Sequence, residues 1–352
     1  MENYKFYPIL DSPGYDIKFY PNKNINELRD ICDNNDYYVG FNTLGWIKYR
    51  LCSVNKFCRL YGARDNNDGL YVKDTTNYLK NKIALLNQKK GEKSNITFTI
   101  TTCKRWSLFK KTMDNFLLHC KDSEIIDEWI CIDDNSSLID REKMQETYPF
   151  FKFIFKTEEE KGHIKSMNIL WNSIKTDYNI HFEDDWLCHN PFSISYLVDY
   201  IKKEQIGQLI LRNISWSNHE FKTKLFTGLL NNDVYLYKYN PNHRSKPQLN
   251  REYDIIKNYD NIKNYDNKTT RDQHEFWWWP GFSLNPSIFN FKLLKDKIGY
   301  FNEDIRLELF EYDYAMRCFI NNIIINYTNL NIQHIGSISS YSLNNMHRYY
   351  DK

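Results

Sequence analysis

Carboxylates gather at three places along this chain. "HFEDDW" (181–186) sets Glu183, Asp184 and Asp185 in succession behind the apolar run "DYNI", "CIDDNSS" (131–137) carries Asp133 and Asp134, and "FEYDYAMR" (310–317) carries Glu311 and Asp313. Each acid loses hydration on burial unless a positive group meets it. A triplet at a strand end is by itself most often a solvated turn. Two carboxylates that reach one point can instead hold a hard divalent cation, Mg2+ or Mn2+, which keeps positions open for phosphate oxygens. Such an ion stabilises the charge that a diphosphate leaving group develops. The pair Asp133 and Asp134 reads as a cap or Asx turn, or equally as acceptors for the hydrogen bonds of a base or ribose. In "FEYDYAMRCFI" (310–320), helical spacing puts Glu311 and Asp313 on different faces, so at most one points into a site while the other caps or pairs, with Arg317 at i+4 available. A carboxylate aimed at a hydroxyl would be a general base. His334 in "NIQHIGS" (331–337) is a lone imidazole, ordinarily structural, that can also complete a metal site. "KGHIKSMN" (161–168) offers Gly162, Lys165, Ser166 and Asn168 where a helix begins, so amides and a cation could face phosphate there; an ordinary exposed amphipathic start is as good a reading.

Strands and helices in alternation must position these groups. "NITFTITT" (95–102), "EWICIDD" (128–134), "FKFIFKT" (151–157) and "DYNIHFEDD" (177–185) are β-rich, while "WSLFKKTMDNFLLHC" (106–120) and "IKSMNILWNSI" (164–174) have helical spacing. That pattern predicts a parallel sheet covered by helices. Ligands in such sheets lie beyond the carboxyl ends of the strands. Three of the four strands end there in polar clusters: "TTCKR" (101–105), "DDNSS" (133–137) and "EDD" (183–185). The polar stretch "QKKGEKSN" (88–95) predicts a boundary between a small N-terminal unit, 1–90, and a larger one, 95–352. "IKNYDN" occurs twice in tandem over 256–267, the mark of a surface insertion.

Composition narrows the partners. The 352 residues are 41% hydrophobic, enough for a sizeable core, and 47 Lys and Arg nearly balance 45 Asp and Glu. This balance argues against nucleic acid or an anionic membrane as a bulk partner. No apolar run is long enough to span a bilayer and "MENYKFYPIL" lacks the layout of a signal peptide, so the expectation is a cytoplasmic protein without a transmembrane segment. The eight cysteines show neither CxxC nor zinc-type spacing and read as reduced thiols. Oligomeric state is left open.

In order along the chain, "TITTCKR", "CIDDNSS", "KGHIKSMN", "HFEDDW", "IGYFNEDIRLELFEYDYAMR" and "QHIGS" resemble the motifs of GT-A glycosyltransferases, in particular family-2 nucleotide-sugar transferases, over residues 95–337. The resemblance implies a Rossmann-like mixed α/β sheet flanked by helices. It also implies a nucleotide-diphosphate-sugar donor, UDP-linked by preference, a hydroxyl on a glycan or glycoprotein as acceptor, and Mn2+ or Mg2+ as cofactor. Thr101, Thr102 and Arg105 match the turn beside the nucleobase, and Asp133 and Asp134 the acids that bind base and ribose. Lys165 and Asn168 fall in the donor-phosphate segment. Glu183, Asp184 and Asp185 stand at the DXD motif, with Asp185 and His334 as metal ligands and Glu183 or Asp184 nearer the ribose. Glu311 matches the general base of inverting members. The DXD opens on Glu rather than Asp, and Phe310 stands where relatives carry an acid, so Asp313 or Glu308 is the alternative base.

"FWWWPGFSLNPSIF" (276–289) falls on the acceptor side of that family, where Trp278 and Trp279 could stack on a sugar ring. The first 90 residues resemble PAN/apple-like modules in "DSPGYDI" (11–17) and "NELRDICDNNDYYVGFNTLGWIKY" (26–49), which implies a small α+β domain that binds glycan or protein; Cys32 is kept but its usual disulfide partner is not. A sugar-phosphate nucleotidyltransferase would also use a metal-bearing α/β sheet, but "TTCKRWS" lacks the Gly-rich loop it needs. A glycan-binding protein that has lost turnover is the non-enzymatic alternative.

Overall fold

A computed structural model of the chain describes residues 4–35, 38–52, 54–88, 94–212, 219–225, 234–239, 281–305 and 309–336. Its first layer is antiparallel. It is built from β1 (Tyr4–Pro8), β2 (Leu10–Asp11), β3 (Asp16–Phe19), α1 (Ile25–Asp33), β4 (Gly40–Asn42), β5 (Trp46–Lys48), β6 (Cys58–Arg59) and β7 (Gly69–Lys73), with a five-stranded sheet in the order β1-β7-β4-β5-β3. α1 begins in a reciprocal cap, in which Glu27 N donates to the Asn24 side chain and Asn24 N donates to the Glu27 carboxylate. Leu28 and Cys32 on its inner face pack with Phe41 and Ile47. The fully buried Lys48 is paired with Asp11 at 3.0 Å and Asp16 at 2.5 Å, so its charge is met within this layer. All eight cysteines are free thiols, and six are buried.

α2 (Thr75–Gln88) leads out of this layer and packs on elements that follow it in the chain. Leu86 joins the core of the larger sheet, and Lys82 donates to the carbonyls of Leu117 and Cys120 at 2.9 and 2.5 Å. α2, the last element before the polar stretch 88–95, thus packs on the larger sheet.

The larger layer runs β8 (Ile96–Thr102), α3 (Trp106–His119), β9 (Glu128–Asp133), α4 (Leu138–Thr147), β10 (Lys152–Phe155), α5 (His163–Ser173), β11 (Tyr178–Glu183), β12 (Trp186–Cys188) and α6 (Ile194–Glu204). It continues with β13 (Gln208–Ile210), β14 (His219–Leu225), β15 (Val234–Tyr239), β16 (Ser287–Asn290), α7 (Phe291–Lys297), α8 (Phe310–Ile320), β17 (Ile325–Thr328) and β18 (Ile332–His334). Nine strands form one sheet in the order β10-β9-β8-β11-β16-β13-β17-β15-β14. The four strands read from the sequence pair in parallel, β10 to β9, β9 to β8 and β8 to β11. Beyond β11 the sheet turns antiparallel at β16, which makes it mixed. Both faces are covered, as parallel strands require. On one side Phe98, Phe182 and Ile100 pack with Phe109, Met113 and Phe116 of α3 and Leu197 of α6. On the other, Ile130 and Ile132 pack with Met167 and Trp171 of α5, Leu294 of α7 and Tyr314 of α8. No helix among the described residues is long and apolar enough to cross a membrane.

Candidate active site

Strand register brings the polar clusters to one edge. Thr101 of β8 lies opposite Glu183 of β11, and Thr102 opposite Asp133 of β9. Past these ends the chain turns through Lys104 (φ 54°) and Asn135 (φ 67°), left-handed conformations that Asn tolerates better than Lys. Lys104 N donates to Ser136 Oγ at 2.7 Å and ties the two turns together. The cleft so formed is lined by Thr101, Thr102, Arg105, Asp134, His163 and Glu183. A larger cleft, about 640 Å³, lies between Asn87, Asp127, Trp129 and Lys175 at the opposite ends of β8 and β9.

The acids of β9 are met from within the chain. Asp133 is fully buried, and its Oδ2 accepts from Ser136 N at 3.0 Å and from Arg141 Nε at 2.7 Å. This is the turn-closing role. Asp134 accepts from Gly162 N at 3.1 Å on both oxygens and from Lys156 Nζ at 2.8 Å. Lys156 also donates to Gly162 O and Ser166 Oγ, at 2.9 and 2.7 Å, and burial lowers its pKa. Gly162 adopts φ 130°, open to glycine alone, at the start of α5. No motif marks Lys156 in the sequence; it is the lysine that directly follows β10.

Lys165 and Asn168, expected at the donor phosphates, both sit on α5, and Lys165 is near enough to Lys156 for their charges to interact. Lys165 is exposed on α5. Asn168 is spent on the segment before α8: its Nδ2 donates to Phe301 O at 3.0 Å and Glu303 Oε1 at 2.7 Å, and its Oδ1 accepts from Phe301 N at 2.8 Å.

The triplet after β11 has its own cation, Arg105. Its Nε reaches Asp184 Oδ2 at 3.2 Å, its Nη1 reaches Asp185 Oδ2 at 2.9 Å, and its Nη2 pairs with Asp184 Oδ1. The motif resemblance sets Arg105 beside the nucleobase; its guanidinium pairs with Asp184 and Asp185. Thr102 Oγ1 and Cys103 N also donate to Asp184 Oδ2, at 2.7 and 3.4 Å. Burial pushes Asp184 up to about 6 even against the pull of Arg105. Glu183 is pushed up to about 8, first by burial and then by the negative charges of Asp185 and Glu311; Trp186 Nε1 donates to it at 3.4 Å.

A distant strand delivers the imidazole. β12, the continuation of the acid triplet, pairs antiparallel with β18 so that Trp186 lies opposite His334. Ile335 N donates to Asp185 O at 2.8 Å, and the half-exposed His334 sets Nε2 3.2 Å from Asp185 Oδ2. A Cβ on Gly336 would run into the Asp185 carboxylate, which gives the glycine of "QHIGS" a steric reason. Asp185 Oδ1 is buried with no hydrogen-bond partner among the described residues.

Across the mouth, Glu311 sits in the first turn of α8. Its Oε1 accepts from Ser283 Oγ at 2.9 Å and Leu284 N at 2.7 Å. Burial raises its pKa, opposed by those two bonds and by Arg212. Arg212 lies 5.4 Å over the Trp186 ring and donates to Asn285 Oδ1 at 3.3 Å. Ser283 falls within the aromatic segment 276–289 but is not singled out there, and Arg212 lies outside every motif quoted. Asp313, nearly fully buried, pairs with Arg317 at 2.9 Å, so the two acids of α8 face different ways, as their spacing requires. Glu308, Trp278 and Trp279 lie outside the described residues.

Among the described residues no three His, Cys, Asp or Glu side chains form a metal cage. Asp185 and His334 nonetheless fit one divalent ion. Nε2 of His334 lies beside Oδ2, the oxygen that also meets Arg105, and the other carboxylate oxygen, Oδ1, has no hydrogen-bond partner among the described residues.

No family model matches the chain. Over 90 residues, 25% of its length, it is 40% identical to "Putative fucosyltransferase R654" of Acanthamoeba polyphaga mimivirus, and it spans 15% of that protein. Among solved structures it is similar to S. aureus TarS 1–349 in complex with UDP-GlcNAc, at 13% identity and a TM-score of 0.43, over 70% of this chain and 64% of that one. It is also similar to the mannosyltransferase PcManGT from Pyrobaculum calidifontis in complex with GDP-Man and Mn2+, at 12% identity and a TM-score of 0.36, over 68% and 57%. Likenesses this distant carry no weight for chemistry, which rests on the side chains described above.

Proposed function

We propose that the chain is a GT-A-type glycosyltransferase that moves a sugar from a nucleotide-diphosphate-sugar, UDP-linked by preference, to a hydroxyl of a glycan or protein acceptor. One observation carries this reading. Thr101, Thr102 and Arg105, Asp134, and the triplet Glu183, Asp184 and Asp185 meet at the carboxyl edge of three parallel strands, with Glu311 facing Glu183 closely enough for their charges to interact. The fucosyltransferase name of the viral relative agrees with it.

The nucleotide would lie over the cleft beside Thr101, Thr102 and Asp134. Asp185 and His334 would hold Mn2+ or Mg2+, which supplies Lewis-acid stabilisation to the leaving diphosphate. Glu311 has Oε1 occupied by Ser283 and Leu284, so Oε2 is the oxygen that would take the acceptor hydroxyl's proton. As that proton moves, the acceptor oxygen attacks the anomeric carbon from the side opposite the diphosphate and the bond to the diphosphate oxygen breaks, with inversion. Holding both substrates in line contributes the rest of the rate. Trp278 and Trp279 are the proposed acceptor stack, and the N-terminal α+β layer a proposed glycan- or protein-holding module.

The test is a screen of nucleotide-sugars with and without Mn2+ for release of nucleoside diphosphate. One donor should turn over, with Asp185→Ala lowering kcat at least a hundredfold. No binding or turnover of any nucleotide-sugar, with Asp185→Ala indistinguishable from the parent, would sink the reading.

A further inference from the structure

We propose that Arg105 is the resting counter-ion of the acid triplet and leaves Asp185 for the donor's diphosphate, so that the divalent ion and the donor bind together and neither binds tightly alone. The inference rests on the donor-site reading above. Arg105 spends its Nε and both terminal nitrogens on two carboxylates that are themselves buried. Asp184 is fully engaged, by Arg105, Thr102 and Cys103. Asp185 differs: one oxygen is shared between Arg105 Nη1 and His334 Nε2, and the other has no hydrogen-bond partner among the described residues. Asp185 is thus the carboxylate on which a guanidinium and a divalent ion compete. A cation brought there repels Arg105, which must have another anion to go to.

The diphosphate is that anion. A guanidinium fork matches phosphate oxygens as well as it matches carboxylates. Arg105 can pass from one to the other by rotating its side chain, because its Cα stays fixed at the N-terminus of α3. Oδ2 of Asp184 still keeps Thr102 and Cys103 as donors after the exchange. Removing Arg105 without supplying an anion has the opposite consequence. Two buried carboxylates lose their compensation, and the next available cation is drawn in.

Mn2+ binding to the full chain, read by the electron paramagnetic resonance signal of free Mn2+, tests this without turnover. Without nucleotide, Arg105→Ala should bind Mn2+ at least tenfold more tightly than the parent. UDP should tighten Mn2+ binding to the parent at least tenfold and to Arg105→Ala by much less, since coupling is reciprocal and the competitor is gone. If Arg105→Ala is poorly folded alone, Mn2+ should raise its Tm more than that of the parent. Arg105→Lys, which keeps the charge but not the fork, should fall between the two. A response to UDP in the parent with no gain of Mn2+ affinity in Arg105→Ala overturns the exchange alone. No response to UDP in either protein overturns the donor reading, and the exchange with it.

Discussion

Glu311 shows how a single carboxylate is set up for proton transfer. Burial raises its pKa, while Leu284 N and Ser283 Oγ, both on Oε1, hold the rise in check. A general base acts only when deprotonated, so kcat should fall as pH drops through a limb set above the ordinary carboxylate range. Ser283→Ala removes a bond that favours the charged form and should move that limb to higher pH, which a kcat–pH profile would reveal. Glu311→Gln should lower kcat about 10²–10⁴-fold and leave nucleotide binding intact; an unchanged kcat would return the role to another acid. The sequence narrowed the choice on α8 because helical spacing separates Glu311 from Asp313 and offers the latter Arg317 at i+4. It could not reveal Ser283 or Arg212, whose partners are brought near only by the folded sheet.

At the scale of elements, the site is a consequence of register. β8, β9 and β11 were legible from their alternation and polar ends, and once they pair in parallel their termini must align. Three-residue strands carry no readable period, so the pairing of β12 with β18 was not legible, although the motif resemblance already sets His334 with Asp185 as ligands of one metal. Helix α5 shows the same limit. "KGHIKSMN" has the residues of a phosphate-binding start, yet the N–H of Gly162 goes to Asp134, and Asn168 satisfies both backbone polar groups of Phe301. Buried or half-buried backbone groups need such partners, and the need is invisible until the two segments meet. Asn168→Ala leaves the Phe301 amide and carbonyl unmet and should cost about 1–3 kcal/mol in urea unfolding. It should also free the segment that leads into α8, so kcat should fall while the Kd for nucleotide holds. A loss in nucleotide affinity alone would instead place Asn168 at the donor.

For the whole molecule, His181 reports on the integrity of the central sheet. It lies in β11, the strand that joins the parallel half to the mixed half, with β8 on one side and β16 on the other. The ring is fully buried, with Thr99 Oγ1 3.0 Å from Nδ1, Phe289 stacked at 6.4 Å and His163 close enough to act on it electrostatically; no acid is among these neighbours. Burial pushes its pKa down to about 3, so the folded chain keeps it neutral. In the unfolded chain it titrates at about 6.5. Above that value both states are neutral and the term is absent; below it the unfolded state alone binds the proton, so folding stability falls with pH by about 1.4 kcal/mol per unit until the folded pKa is reached. Other groups titrate in the same range, and comparison with a variant cancels all but those coupled to His181, of which His163 is one. His181→Asn should be less stable than the parent at pH 7.5, because it leaves a cavity beside Thr99 and Phe289. The gap measured by urea unfolding should close by about 1.4 kcal/mol per pH unit between roughly pH 6 and 4. A gap that stays constant would mean that His181 gains a proton without the sheet opening, and that the join between the two halves is wetter than its packing implies.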